Sequence, residues 1–234
     1  MIPVLGLCTM TRPDQLERLL LSIDHPVQHL VVIDNAAGRL KNVNDAWIRD
    51  RVYPAGFVKK TWYLRFPSNL GVPVSWNLII KSTPSAPWWL IVNADAWFEP
   101  GSLARFDTEA GPDRLLLGGG HPAWCCFAVG ERVVDRAGLI DEYFYPLYFE
   151  DNDWERRITL AGCDVTYSDI PVGHDNSSTI GAGYADQNQA TFAANRDYYH
   201  RKWGGPPGAE TSTRPRVTGG WSLSRRRELH WDPR

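Results

Sequence analysis

The stretch "PWWLIVNAD" (residues 87–95) is apolar on both alternating faces and stops abruptly at Asn93 and Asp95. A strand of that kind must be covered on both sides, which is the signature of a parallel sheet flanked by helices rather than of a half-exposed antiparallel one. Other segments fit the same scheme. "IPVLGLCT" (2–9), "QHLVVIDN" (28–35) and "KKTWYLRF" (59–66) read as strands. "RPDQLERLLLSI" (12–23) is a helix with Pro13 suited to its first position, Asp14 favourable at the positive end of the dipole, and Leu16, Leu19, Leu20 and Ile23 on one face. "GVPVSWNLIIKS" (71–82) is a shorter helix. Strand and helix in alternation give an α/β fold with a mostly parallel, doubly covered sheet.

Past residue 115 the rhythm changes to short strands, with a helix from about Arg132, another from the acidic run at 150 to Gly162, a strand-like "CDVTYSDIPV" (163–172) and a long helix "QNQATFAANRDYYHRKW" (187–203). From residue 206 the composition turns to Pro, Gly, Ser, Thr and Arg, a tail either disordered or folded over the domain. The 234 residues are 43% hydrophobic, enough for one full core. A net charge of −2 gives no whole-molecule attraction for nucleic acid or membrane. No run approaches the roughly 20 apolar residues that cross a bilayer. The N-terminus lacks the basic and apolar regions of a signal peptide, and the four cysteines lack metal-type spacing, so reduced thiols in the cytoplasm are the expectation. Eleven tryptophans serve either the core or a pocket for flat ligands.

In open α/β sheets ligands bind beyond the carboxyl ends of the strands. Three strands deliver polar groups there: Thr9 with Arg12 behind it, Asp34-Asn35, and Asn93-Ala94-Asp95. Asp and Asn also favour the turns that follow strands. Asp95, however, emerges from an interior strand with no basic residue near it in sequence, and a partly desolvated carboxylate wants a cation. Oxygen ligands suit Mg²⁺ or Mn²⁺, and His174 in "PVGHDNSST" would tilt the choice toward Mn²⁺ if it ligates rather than serving the loop.

The run "YPLYFEDNDWERR" (145–157) places Glu150, Asp151, Asp153 and Glu155 within six positions. Asn152 and Glu155 have capping-box spacing, and Asp153 suits a first helical turn. Glu150 and Asp151 follow an aromatic run. Held ionised at a helix N-terminus, one of them could act as a general base for an alcohol.

Taken in order, these pieces resemble the family 2 glycosyltransferases of GT-A fold, particularly their rhamnosyl- and galactofuranosyl-transferase-like branch, over about residues 2–205. "TMTRPDQLERLLLSI" and "VVIDN" look like the family's nucleotide-binding start, "NLGVPVSWN" like its Asn-x-Gly-x-x-x-x-x-Asn element and "VNADAWFEPGSL" like its DxD-type segment. "VGERVVDRAGLIDEYFYPLYFEDNDWERRITLAGCDV" matches the run into its Glu-Asp motif, and "NRDYYHRKWGG" its C-terminal helix. Asn93 stands where the first Asp of a full DxD would be, leaving one carboxylate fewer.

The resemblance implies a Rossmann-like nucleotide-sugar-binding half (1–97), an acceptor and catalytic half (98–205) and a C-terminal extension (206–234). Thr9, Arg12, Asp34, Asn35, Asn69, Gly71, Asn77, Asn93 and Asp95 would hold the donor, a UDP-, GDP- or dTDP-sugar. Asp95 and His174 would hold Mn²⁺ or Mg²⁺. Asp151, with Glu150 beside it, would be the base of an inverting transfer, and Trp124, Asp153 and Arg157 would face the acceptor. That acceptor is a glycan, a protein or, by a fainter likeness to small phage-encoded transferases, a hydroxymethylated base of DNA. For DNA, the tail residues Arg214, Arg216, Arg225, Arg226 and Arg227 could touch phosphates, or simply be solvated. Two other functions fit the same sheet. A sugar nucleotidyltransferase would need a Gly-rich basic loop after the first strand, where "GLCTMTRPDQ" has one Gly and one Arg. A non-catalytic nucleotide-sugar or glycan-binding module would tolerate loss of the carboxylates.

Overall fold

The structure is a computed structural model that describes residues 1–120, 124–175 and 183–229. Seven strands form the central sheet in the order β3-β2-β1-β4-β7-β6-β8. β1 (Ile2–Thr9), β2 (Val27–Asp34), β3 (Val58–Arg65) and β4 (Trp88–Asn93) are mutually parallel. β7 (Cys126–Gly130) runs antiparallel to both β4 and β6 (Arg114–Leu117), while β8 (Asp164–Tyr167) lies parallel to β6. A second sheet pairs β5 (Ala96–Phe98) with β9 (Val172–His174).

Alternation along the strands splits the core into two layers. On one face Leu5, Leu7, Val32 and Leu90 meet Leu16, Leu19 and Leu20 of α1 (Pro13–Leu21), Ile48 of α2 (Asp45–Val52) and Leu103 and Phe106 of α4 (Ser102–Glu109). On the other, Val4, Val31, Ile91, Phe127 and Val129 meet Trp76 and Ile79 of α3 (Val72–Ser82), Val133 of α5 (Glu131–Ala137) and Trp154 and Ile158 of α6 (Glu150–Leu160). Each such side chain removed from water contributes about 1.5–3 kcal/mol. A smaller aromatic cluster, Phe144, Phe149, Tyr198, Tyr199 and Trp203, docks α7 (Ala185–Trp203) on the loop before α6.

The tail is folded over the domain, at least through residue 229. The Ser212 and Arg216 N–H groups donate to the carbonyls of Trp203 and Lys202. In α8 (Leu223–Glu228) Arg225 donates to the Tyr143 carbonyl at 2.9 Å and to the Asn195 amide oxygen. Arg226 donates to the Leu70 carbonyl at 2.7 Å. Residues 230–234 of the expected extension lie outside the described residues.

Five tryptophans are in the core: Trp76, Trp88, Trp89, Trp154 and Trp203 are buried, whereas Trp62 and Trp221 are 49% and 60% exposed. The expected strand at 163–172 is two strands, β8 and β9, broken at Ser168–Pro171. No described helix is long and apolar enough to cross a membrane.

Candidate active site

The parallel register lines up the polar strand ends. Thr9 pairs with Asp34, and Cys8 with Asn93, so β2, β1 and β4 release their chains side by side at one edge of the sheet. Two groups of titratable side chains lie within electrostatic reach of Cys8, near the end of β1.

The first is Asp95 with His174. Asp95 sits in the turn between β4 and β5, and His174 closes β9. Pairing of Ala96 with His174 in the small sheet brings the imidazole Nε2 to 3.1 Å from the Asp95 carboxylate. Both side chains remain partly accessible, at 16% and 20%. The neighbouring Asp175 is turned away into contacts with Arg18 and Gln15. Among the described residues no group of three or more His, Cys, Asp or Glu side chains forms a metal cage. One carboxylate and one imidazole still fit a divalent ion that keeps most of its coordination for substrate phosphates and water. They suit Mn²⁺ better than Ca²⁺.

The second group is Glu150 and Asp151 at the start of α6. No side chain caps this helix. Its N-cap is Phe149, at φ 69°, preceded by Tyr148 at φ 78°. Two consecutive non-glycine residues in the left-handed region cost about 1–2 kcal/mol each and turn the chain sharply into α6. The expected Asn152–Glu155 capping box is therefore absent; Glu155 instead accepts from Trp124 Nε1 at 3.1 Å and from the Tyr167 hydroxyl.

Glu150 is 6% exposed, and its Oε2 is buried without a hydrogen-bond partner. Burial, then the Asp151 charge, pushes its carboxyl well above the usual range. Burial also raises the partly exposed Asp151, with Glu155 adding to the effect. Here desolvation outweighs the helix dipole, contrary to the expectation of carboxylates held firmly ionised. Cys8, near the end of β1, feels a charge from each group. Its thiol is pushed up to about 12 by burial first, then by Glu150 and, more weakly, Asp95.

Several expected donor contacts are structural joints. Asp34 is fully buried: one oxygen accepts the Ala36 N–H at 2.8 Å, the other Arg65 Nε at 3.0 Å and the Tyr63 hydroxyl. Asn35 donates to Ser75 Oγ at 2.9 Å and accepts from the Leu70 N–H. Asn69 turns back on the Gly71 N–H, and Gly71, at φ 82°, admits no side chain because a Cβ would lie 2.8 Å from the Tyr145 ring. Asn77, 1% exposed, exchanges hydrogen bonds with both backbone groups of Ile140 and donates to Glu142. The Asn-x-Gly element thus fastens α3 to the 140–146 loop, with Asn77 as an internal brace. Arg12 is at the rim, paired with Asp14 at 2.6 Å. Thr9 is nearly buried, and Asn93 is half-buried with its N–H on the Cys125 carbonyl.

The expected acceptor residues need a larger correction. Asp153 is fully buried, bound by Arg157 at 2.9 Å, Lys202 at 2.7 Å and Trp203 Nε1 at 2.8 Å. Arg157 also donates to the Ala137 carbonyl. This network joins α6 to α5 and α7. Trp124 packs edge-on against Phe127 with ring centres 4.9 Å apart, leaving it only partly accessible. Sequence reasoning missed Cys8, Ser75 and the Tyr148–Phe149 pair, none of which carries a motif signal. A cavity of about 560 Å³ near His29, Trp62 and Pro84 opens at the opposite, amino end of the strands and holds none of these acids.

No family model and no curated protein matches the chain. Solved structures do. Staphylococcus aureus TarS 1–349 in complex with UDP superposes with a TM-score of 0.53 at 12% identity, covering 74% of this chain and 60% of that one. GalNAc-T7 with UDP, GalNAc and Mn²⁺ gives 0.56 at 13% identity over 74% of this chain. This chain has the GT-A fold. It spans 43% of the longer TarS structure and 43% of GalNAc-T7, so the GT-A core is shared and much of each neighbour has no counterpart here.

Proposed function

We propose that the protein is a metal-dependent, inverting glycosyltransferase that moves a sugar from a nucleoside-diphosphate donor to an acceptor hydroxyl. The observation that carries this reading is that Cys8, near the end of β1, lies within electrostatic reach of both Asp95, paired with His174, and Glu150, the neighbour of Asp151, in a GT-A fold whose solved neighbours hold UDP, UDP-GlcNAc or Mn²⁺. Residues 1–97 carry the donor, with Thr9, Arg12 and Asn93 nearest the rim and Asp34, Asn35, Asn69 and Gly71 shaping the wall. Residues 98–205 supply the base and the acceptor side.

Asp95 and His174 would hold Mn²⁺ or Mg²⁺, whose charge offsets that developing on the departing diphosphate. Asp151 takes the acceptor hydroxyl proton while that oxygen attacks the anomeric carbon. The new C–O bond forms on the face opposite the old one, whose electron pair leaves with the nucleoside diphosphate. A raised pKa makes Asp151 a stronger base once ionised, provided it is placed against the hydroxyl. Glu150, buried and high in pKa, keeps a second negative charge away from Asp151.

Calorimetric titration with UDP-, GDP- and dTDP-sugars, with and without Mn²⁺, tests the reading. Saturable binding of one donor that strengthens with Mn²⁺ is expected. Folded protein that binds none of them would overturn it.

A further inference from the structure

Beyond the acids, one feature packs on the two residues that directly precede Glu150 in the chain. Phe192, on α7, leaves 45% of its surface in water. Its ring meets Tyr148 at 5.5 Å and 68°, and Phe149 at 5.1 Å and 56°. Asn188, one helical turn earlier, accepts the Tyr148 hydroxyl. Helix α7 therefore sets a ring and an amide against the left-handed Tyr148–Phe149 pair that launches Glu150 and Asp151. A partly exposed aromatic corner with a phenol and an amide on it thus stands directly before Glu150 and Asp151 in the chain.

We propose that this corner, Tyr148, Phe192 and Asn188, is the acceptor subsite and that it takes a saccharide ring; the proposal rests on the glycosyltransferase reading above. A sugar presents an apolar C–H face to an exposed ring and hydroxyls to amide and phenol groups, so a ring beside an uncharged hydrogen-bonding pair suits it. A nucleic-acid acceptor needs cations to neutralise its phosphates. The charges nearby do not supply them. Asp186 opens α7 with an exposed acid, and Arg196 is paired with Asp197 at 2.8 Å. Arg225 and Arg226 of the tail are committed to the carbonyls of Tyr143 and Leu70. The left-handed backbone adds a reason for Tyr148 to stand where it does, since a relaxed helix entry would swing its ring away from Phe192.

The test uses the full chain with Mn²⁺ and the pooled UDP-, GDP- and dTDP-sugars, measuring nucleoside-diphosphate release without acceptor and transfer to two acceptor sets by mass. One set is methyl glycosides and short oligosaccharides; the other is duplex DNA containing 5-hydroxymethylcytosine. Phe192 is exposed, so Phe192→Ala is expected to fold, which thermal denaturation checks. The expected result is transfer to a saccharide, with release in the absence of acceptor changed by no more than a factor of about two in Phe192→Ala. The saccharide KM should rise about tenfold, and Phe192→Tyr should restore it. Three results would overturn the inference while leaving the glycosyltransferase reading intact: an unchanged saccharide KM in Phe192→Ala, donor turnover with no transfer to any saccharide, or transfer to DNA in preference to saccharide. Failure of the wild type to bind or turn over any donor would overturn both.

Discussion

His174 Nε2 lies 3.1 Å from the Asp95 carboxylate although 79 residues separate the two. Three residues of antiparallel pairing between β5 and β9 close that distance, and the Asp175 N–H donates to the Asp95 carbonyl to complete the register. The small second sheet holds this contact in place. Asp95→Ala and His174→Ala should each weaken the Mn²⁺-dependent part of nucleotide-sugar affinity by at least about tenfold, with the metal-free part less affected. Titrations in Mn²⁺ and in EDTA measure both parts; an unchanged Mn²⁺ enhancement in either variant contradicts the assignment.

Glu150 links pH to stability. Its folded pKa lies above the ordinary value of 4.5 because the carboxyl is buried. The folded state therefore holds the proton more tightly than the unfolded state does. Its contribution is complete below the unfolded value and is lost as pH rises through the folded one. Glu150→Gln, which cannot ionise, should melt higher than wild type at pH 8. The two should converge as pH falls toward 4.5. Equal melting temperatures at both pH values would mean that the side chain is not desolvated as described.

Much of the fold could be read from the chain because its strongest signals are local. β1 and β4 are largely apolar runs, β2 holds one at Leu30–Ile33, and α1 carries its leucines at helical spacing with a proline at the start. Helices α2 and α4 escaped notice because each has eight residues and only a narrow apolar stripe. The acids at the strand ends were visible for the same local reason. What they do was less visible, because it depends on partners far away in sequence. Asp153 reads as a helix-start acid, yet Lys202 and Trp203 reach it from nearly 50 residues on. Asn77 reads as a ligand contact until Ile140 is seen beside it. The aromatic corner at Phe192 depends on a backbone turn that no residue pattern announces.

The Asp153 network predicts a stability effect of unusual size. Asp153→Ala leaves Lys202 with Asp141 alone and Arg157 with only the Ala137 carbonyl, in a wholly buried setting. Removing one partner of such a set costs about 3–5 kcal/mol. Urea denaturation should show the loss as a lower midpoint at unchanged slope. A substitution costing under about 1 kcal/mol, the scale of an exposed ion pair, would return Asp153 to the surface role that its sequence position suggests.

The tail should behave as part of the domain. Arg225 is 8% exposed and donates to both Tyr143 and Asn195. Arg225→Ala should cost about 2 kcal/mol, the scale of a hydrogen bond to a charged group. A lowered melting temperature checks this. A melting temperature equal to that of wild type would show that α8 is not docked.

The central claim is that Asp151 moves the proton, and Asp151→Asn tests it most directly. Donor affinity by calorimetry should stay within a factor of about two, while kcat for glycosyl transfer falls about 10²–10⁴-fold. In the wild type the acidic limb of kcat/KM should lie above the ordinary aspartate pKa of about 3.9, because desolvation raises this carboxyl. Intact binding with lost turnover is the result this account predicts. Turnover comparable to wild type in the Asn variant would contradict it and move the base elsewhere in the cleft.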